Sequence, residues 1–416
     1  MTEEVSDQLK AALRVPEIAA PLPLKDETVT LKRVGRPLRH VKNIPTKQLV
    51  FYSRNKEPQF TYDFPIKLPV KPKHVVVQVK SVGLNPVDLK IINSFTSNFN
   101  RERGIGREYS GVISHVGSKI AGSEWKEGDE VCGIYFHPNG FGTLSSSIDL
   151  DPSVDILVKK PTTLSFEKSG SWLFSFGSAY QILQKANKVD RLSSESSVFI
   201  NGGSSSVGLM LIQLLKAFYK VEAITVSAAG SARDLVTNAG AKLVINYKVN
   251  PDLPKVLTLL TKTGVYKDFD DDGTPIDVRE IPTKKFDLII DCVGGYDLIY
   301  NANSYLKASS KGGQYISTVG DAKSNYAKDI YNDWNSVSMN ARSFLGGAWG
   351  VNYSKFQFDI RPKNDEWLKD GVDMLESGEI DVFIEKIYNW KHHVEALNRL
   401  RTGHCHGKIV LNVEQF

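Results

Sequence analysis

The stretch Val198-Phe-Ile-Asn-Gly-Gly-Ser-Ser-Ser-Val-Gly208 decides the fold. Ser197 to Asn201 reads as a buried strand, Gly202 and Gly203 turn it, and Leu209 to Tyr219 continues as an apolar helix. A strand that turns sharply into a helix leaves backbone N–H groups and the positive helix end facing outward, which suits a dinucleotide pyrophosphate. Gly202 and Gly208 take the first and third places of a three-glycine turn, while Ser205 holds the middle one, where a missing Cβ normally lets phosphate approach. Two readings follow. Either the Ser205 hydroxyl donates to phosphate and the turn is retained, or the added bulk marks a degenerate pocket. The cofactor-binding set on this reading is Gly202, Gly203, Ser204, Ser205, Ser206, Val207 and Gly208.

Working outward, helix and strand alternate from Ser165 onward. Helices are expected at Trp172 to Lys185, Ser231 to Ala239 and Pro254 to Thr263, with strands at Val221 to Ser227, Lys242 to Asn246 and Phe286 to Cys292. Such alternation means a parallel sheet covered by helices on both faces. Cys292, Val293 and Gly294, at the end of the last of these strands, are expected at the same crevice. At the end of the second strand, where an acid would grip the ribose hydroxyls, Val226 to Arg233 carries none. That favours NADP(H), with Ser227, Ser231 and Arg233 near the extra phosphate; the alternative for Arg233 is an exposed helix residue.

Residues 265–285 interrupt the alternation with Asp268, Asp270, Asp271 and Asp272, then Gly273, Pro275 and Pro282, and read as an exposed acidic loop. Calcium-loop spacing is missing there. N-terminal to Ser165 the pattern changes: Gln48 to Tyr52, His74 to Val82 and Gly111 to Val116 are strand-like, giving an all-β lobe. Before it, Thr28 to Val50 holds six Lys or Arg plus His40 and no acid. This basic arm is either a strap on the domain or a contact for an anionic membrane or partner. Val5 to Val15 could form a short amphipathic helix, too brief to anchor alone.

Length and composition fit this plan. A chain of 416 residues holds two or three domains, and 41% hydrophobic with 24% charged residues is the balance of a globular chain. No apolar run reaches the ~18 residues of a membrane span, the acidic N-terminus argues against a signal or transit peptide, and three distant cysteines argue against a disulfide framework. A cytoplasmic protein is expected, peripheral on membranes if the arm binds them. A net charge of +5 without a zinc-finger or RNA-recognition motif gives no support for nucleic acid. A hydrolase elbow is not formed either, since Gly203-Ser-Ser-Ser-Val207 ends in Val.

Five segments then carry a resemblance: Val79-Lys-Ser-Val-Gly-Leu-Asn-Pro-Val-Asp88, Gly106-Arg-Glu-Tyr-Ser-Gly111, Gly128-Asp-Glu-Val131, Phe286-Asp-Leu-Ile-Ile-Asp291 and Gly407-Lys-Ile-Val-Leu411. Collinear from about Gln48 to the C-terminus, they resemble the medium-chain dehydrogenase/reductase superfamily and, within it, the zinc-free quinone oxidoreductase group. The resemblance implies an α/β chain with a GroES-like β-rich catalytic domain and a Rossmann doubly wound sheet domain. Its expected parts are a basic arm at 1–47, catalytic-domain residues at 48–185, the Rossmann domain at 186–350 with the acidic insertion, and a return to the catalytic domain at 351–416.

The resemblance further implies a homodimer, hydride transfer from NADPH to a quinone or enone of enoyl-reductase type, Asn85 facing the nicotinamide or substrate, and Lys408 at the cofactor. Tyr109 is a candidate proton donor, with a core aromatic as the alternative, and Asp88 orders its loop or caps a helix. Zinc-dependent relatives place Cys where Asn85 stands and His where Arg107 stands, so catalytic zinc is not expected. The ligand-like group His392, His393, His404, Cys405 and His406 falls in the family's last helix, turn and strand. Finally, the Ser-substituted turn, arm and insertion resemble a fungal branch of the superfamily. Some of its members are associated with delivery of a plasma-membrane proton pump and have no established reaction. In that second reading the fold is a catalytically weak scaffold whose arm and acidic loop are contact surfaces.

Overall fold

The computed structural model describes residues 42–96, 101–120, 122–331, 350–360, 365–414 and 416. Most of the basic arm and the Val5 to Val15 helix therefore lie outside the described residues. The compact body begins at Asn43, where Asn43–Ile44 pairs with Ile66–Lys67, slightly before the expected start at 48. Lys47, the last cation of the basic run, belongs to this body: its ammonium lies 3.8 Å from the Trp390 ring centroid and 4.9 Å from that of Phe60. Cation–π attraction holds it against the body.

The parallel sheet has six strands. Taken in chain order they are Ser197–Asn201, Ala223–Ala228, Leu243–Asn246, Leu288–Asp291, Gln314–Ser317 and Asn352–Lys355, and in space they run third, second, first, fourth, fifth, sixth. Alternation along each strand sends Val198, Ile200, Val226 and Ile290 to one core and Phe199, Ile245, Ile289 and Tyr315 to the other. Both faces are thus covered, and the sheet is doubly wound. The sixth strand extends this sheet past residue 350, the expected end of the domain. The strand order reverses beside Ser197–Asn201, which places a crevice at its carboxyl end.

The β-rich lobe is built on a mixed sheet in the order Ile156–Lys159, Glu130–Ile134, Glu108–Val116, Val75–Leu84, Lys408–Asn412, Ile384–Asn389, with Ser147–Leu150 also paired to Val75–Leu84. The C-terminal strand runs antiparallel to Val75–Leu84, so the chain end returns to the lobe in which it started. Helix Leu173–Val189 packs on helix Ser206–Ala217 and shares with it the core around Trp172, Phe176 and Leu211. That helix pair fixes the crevice turn against the β-rich lobe. Among the described residues no helix is long and apolar enough to cross a membrane.

Residues 265–285 are more ordered than the sequence pattern suggests. Val265–Phe269 and Pro275–Glu280 form an antiparallel hairpin closed by the Asp270 to Thr274 turn. One strand face is exposed, while Tyr266 and Asp268 are buried against the parallel-sheet domain. Alternation of Tyr266 and Asp268 with exposed Val265 and Lys267 is strand periodicity, masked in sequence by the density of acids and prolines.

Candidate functional site

The crevice turn is shaped by its glycines and closed by its serine. Gly202 has φ +87°, and a Cβ on Gly208 would lie 2.4 Å from the Gly202 carbonyl oxygen, so helix and strand approach too closely for any side chain. Ser205 is the N-cap of helix Ser206–Ala217. Its hydroxyl donates to the Gly202 carbonyl at 2.8 Å and accepts from the Gly208 N–H at 3.0 Å. The serine at the middle place thus spends its hydrogen-bonding capacity inside the turn, where it replaces a ligand's oxygen with its own.

Ser204 faces the last turn of the chain: its carbonyl accepts from the Gly407 N–H at 2.9 Å, and its hydroxyl lies 3.2 Å from His406 Nδ1. Val207 and Ser206 line the cleft between the lobes together with Ser205 and Cys292. Burial pushes the Cys292 thiol up to about 12, which keeps it neutral. Val293 and Gly294 send their N–H groups to the Asp291 carboxylate at 3.0 and 2.9 Å, which holds the strand end, and the Val293 side chain lies against Gly202.

At the end of the second strand and just beyond it, Ser227, Ser231 and Arg233 have partners within the chain. Ser227 is buried, and its hydroxyl joins Asn201 at 2.7 Å and the Gly202 N–H at 2.9 Å, supporting the turn from behind. Arg233 is held by the inserted hairpin: it pairs with the buried Asp268 carboxylate and donates to the Phe269 carbonyl at 2.8 Å. The Ser231 N–H donates to Asp271 at 3.3 Å, and the Gly230 N–H donates to the same carboxylate at 2.6 Å. Asp271 also accepts from Lys248 Nζ at 2.7 Å and Asn246 Nδ2 at 3.1 Å. Lys248 above all, and then these neutral donors, hold its carboxyl down at about 2. Neither Asp268 nor Asp271 is a free contact surface.

The residues expected to be catalytic are committed as well. The Tyr109 hydroxyl donates to the Ile156 carbonyl at 3.3 Å inside the core of the β-rich lobe, where burial pushes its pKa up, as the core alternative has it. Asn85 borders the cleft, but its amide oxygen accepts from Lys408 Nζ at 2.6 Å and its amide nitrogen donates to Glu108 at 2.9 Å. Lys408 and Glu108 form a fully buried ion pair at 2.9 Å, and the second Glu108 oxygen accepts the Phe174 N–H at 3.2 Å. Lys408 is therefore buried, with its ammonium spent on Glu108 and Asn85.

Asp88 caps helix Pro86–Ser94 through the Asn85 N–H at 2.8 Å, as expected of it, and burial pushes its carboxyl up to about 6. Arg107 donates to the Gly104 and Gly106 carbonyls at 3.1 and 2.6 Å, filling with a guanidinium the place where zinc-dependent relatives carry a histidine. The C-terminal histidines and cysteine do not converge. His392 pairs with Glu395, His393 packs on Phe60, His406 faces Ser204, and Cys405 lies against the Arg399 carbonyl. Among the described residues no group of three or more His, Cys, Asp or Glu is placed to hold a metal.

Two charged groups of the site were not singled out from sequence. Glu108 sits in the Gly106 to Gly111 motif at an inward strand position, and a lone acid facing a core needs a buried cation, which Lys408 supplies. Lys90 lines the cleft near Asp329, its pKa lowered by desolvation. The cleft itself has a volume of about 620 Å³ and an aromatic wall of Phe136, Phe174, Phe358 and Tyr331. The first and third glycines of the turn fit a dinucleotide. Around the expected ribose-phosphate position, the Gly230 and Ser231 N–H groups, Lys248 and Arg233 are already held by the chain's own Asp271 and Asp268 carboxylates.

Two family models match the chain: an alcohol dehydrogenase GroES-like domain over residues 71–146 and a zinc-binding dehydrogenase over residues 239–411. Protein AST2 of Saccharomyces cerevisiae is 41% identical over 428 residues, covering 100% of this chain and 99% of its own. Protein AST1 of the same yeast is 39% identical over 426 residues, covering 98% of this chain and 97% of its own. The solved structure of Escherichia coli quinone oxidoreductase complexed with NADPH matches with a TM-score of 0.67 at 19% identity, over 88% of this chain and 100% of that one. At that identity it supports the architecture alone. A GroES-like lobe and a six-stranded Rossmann sheet in one collinear chain, matched full length by AST1 and AST2, place this protein in the medium-chain dehydrogenase/reductase superfamily.

Proposed function

We propose that this protein is a reductase-fold scaffold that works by binding rather than by NADPH-dependent turnover, acting at membranes in the targeting of a plasma-membrane protein such as the proton pump. The observation that carries the first part is the commitment of both expected catalytic side chains. The Tyr109 hydroxyl is spent on Ile156 in the core, and the Asn85 amide is held between Lys408 and Glu108. A side chain whose donors and acceptors are satisfied by buried partners has nothing to offer a developing charge on a substrate. Full-length similarity to AST1 and AST2, with the arm included in the match to AST2, supports a shared role.

On this reading the basic run Lys32, Arg33, Arg36, Arg39 and Lys42 meets an anionic membrane or membrane protein, and the body presents itself as a homodimer. The test is co-sedimentation of the full chain with vesicles containing phosphatidylserine. Binding that falls as salt rises, and that is lost when Lys32, Arg33, Arg36 and Arg39 are changed to Gln, is expected. Binding to neutral and anionic vesicles alike, or to neither, contradicts the membrane part.

The aromatic cleft favours a second reading, a quinone or enone reductase. Its volume and wall suit a flat apolar electrophile, and Lys90 is a desolvated ammonium on its lining able to supply a proton. NADPH oxidation that depends on a quinone or enone and is lost in Lys90→Met would favour that reading over the scaffold.

A further inference from the structure

The inserted hairpin does more than extend the surface. Its turn delivers Asp271 to the carboxyl end of Ala223–Ala228, the second strand from the crevice turn, which is where a dinucleotide fold reads the adenosine ribose. Four donors converge on that carboxylate: the Gly230 and Ser231 N–H groups, Asn246 Nδ2 and Lys248 Nζ. A second cationic group, Arg233, is held by Asp268 of the same hairpin. Two backbone N–H groups, an amide and an ammonium closing on one anion form the donor set that a phosphate monoester would need.

The fit is close on the protein side too. A Cβ on Gly230 would lie 2.7 Å from Asp271 Oδ1 and 2.8 Å from Asn246 Nδ2, so glycine at this position admits the carboxylate. Asn246 is fully buried and also donates to the Phe269 carbonyl at 3.3 Å, which ties the donor set to the hairpin that brings the anion.

We infer that Asp271 is an internal stand-in for a 2′-phosphate: the hairpin fills the ribose-phosphate subsite of the crevice with the chain's own carboxylate and so denies the fold to NADPH while leaving an unphosphorylated ribose less affected. Two like charges cannot share one donor set, and a phosphate carrying about two negative charges must displace Asp271 before it can bind. The specificity expected from the missing acid on the second strand is thereby reversed by an acid supplied from the insertion. This inference goes beyond the scaffold proposal, and its readout is nucleotide affinity, which is separate from both turnover and vesicle binding.

The test is fluorescence titration of the full chain with NADPH and with NADH, for the wild type, Asp271→Ala, Asp271→Asn and Asp272→Asn. Asp272 carries the same charge on the exposed hairpin turn and controls for net charge. Wild type is expected to bind NADPH no more tightly than NADH. Asp271→Ala is expected to bind NADPH at least tenfold more tightly than wild type, with NADH changed less than threefold and Asp272→Asn unchanged. If Asp271→Ala does not fold, Asp271→Asn carries the same expectation, because it removes the charge and keeps the shape. Wild type binding NADPH tenfold more tightly than NADH would overturn the inference. So would a folded Asp271 variant that gains nothing for NADPH, or gains equally for both nucleotides.

Discussion

Two regions of this molecule satisfy buried or half-buried charge with groups of the chain itself, at very different depth. In the β-rich lobe, Glu108 and Lys408 are 300 residues apart in sequence and meet in the core with neither exposed, joined by Asn85. At the crevice rim, Asp271 and Lys248 are 23 residues apart and remain 29% and 46% exposed. The first pair belongs to the fold, since neither ion has water to fall back on. The second can open without unfolding the domain, because each ion can be hydrated in place. The same chemistry therefore serves rigidity in one place and ligand exclusion in the other.

The difference is sharpest in single substitutions. Lys408→Met leaves the Glu108 carboxylate buried without its cation and is expected to cost about 3–5 kcal/mol in urea unfolding, whereas Lys408→Met with Glu108→Leu should recover more than half of that. A cost below about 1 kcal/mol for the single variant would place this pair in the same class as the surface one. Gly208→Ala comes next. Its Cβ meets backbone rather than side chain, so a loss of about 1–3 kcal/mol is expected from the same denaturation measurement.

Asp271→Asn should cost about 1 kcal/mol or less, since its ion pair is partly exposed. Its pH dependence has a definite sign. The folded carboxyl is held at about 2, below its ordinary 3.8. The contribution is present above the ordinary value and is lost as pH falls through about 2. The stability gap between wild type and Asp271→Asn is therefore expected to be constant from pH 7 to about pH 4 and to close below it. A gap that opened on acidification would contradict the assigned ion pair. The smallest effect is that of Ser205→Gly. Glycine is a tolerable N-cap, so a change of a few tenths of a kcal/mol is expected, with no gain for NADPH while Asp271 holds its donors. A large gain in that variant would move the block from the hairpin to the turn.

The fold was legible in sequence where periodicity and punctuation agree. Strand Ser197–Asn201 and helix Leu253–Thr263 lie close to where alternation and capping residues place them, and the doubly wound order follows from the sequence of elements. What escaped was long-range chemistry. That Ser205 is an N-cap could be read from its position before an apolar helix, yet its use of the Gly202 carbonyl depends on the turn's closure. The run from Asp268 to Asp272 reads as solvated because like charges in series usually are. Only the pairing of Val265–Phe269 with Pro275–Glu280 turns Asp268 inward to Arg233 and brings Asp271, in the connecting turn, to Lys248. Likewise nothing local links Glu108 to Lys408 until the last strand joins the first sheet.

The most direct test of the account is a crystal structure of the full chain grown with a saturating concentration of NADPH. Asp271 still bonded to the Gly230 N–H and Lys248, with no phosphate on the Gly230 and Ser231 N–H groups, is the predicted result. A hairpin swung away from the crevice, with a 2′-phosphate on those N–H groups and on Lys248, would contradict it.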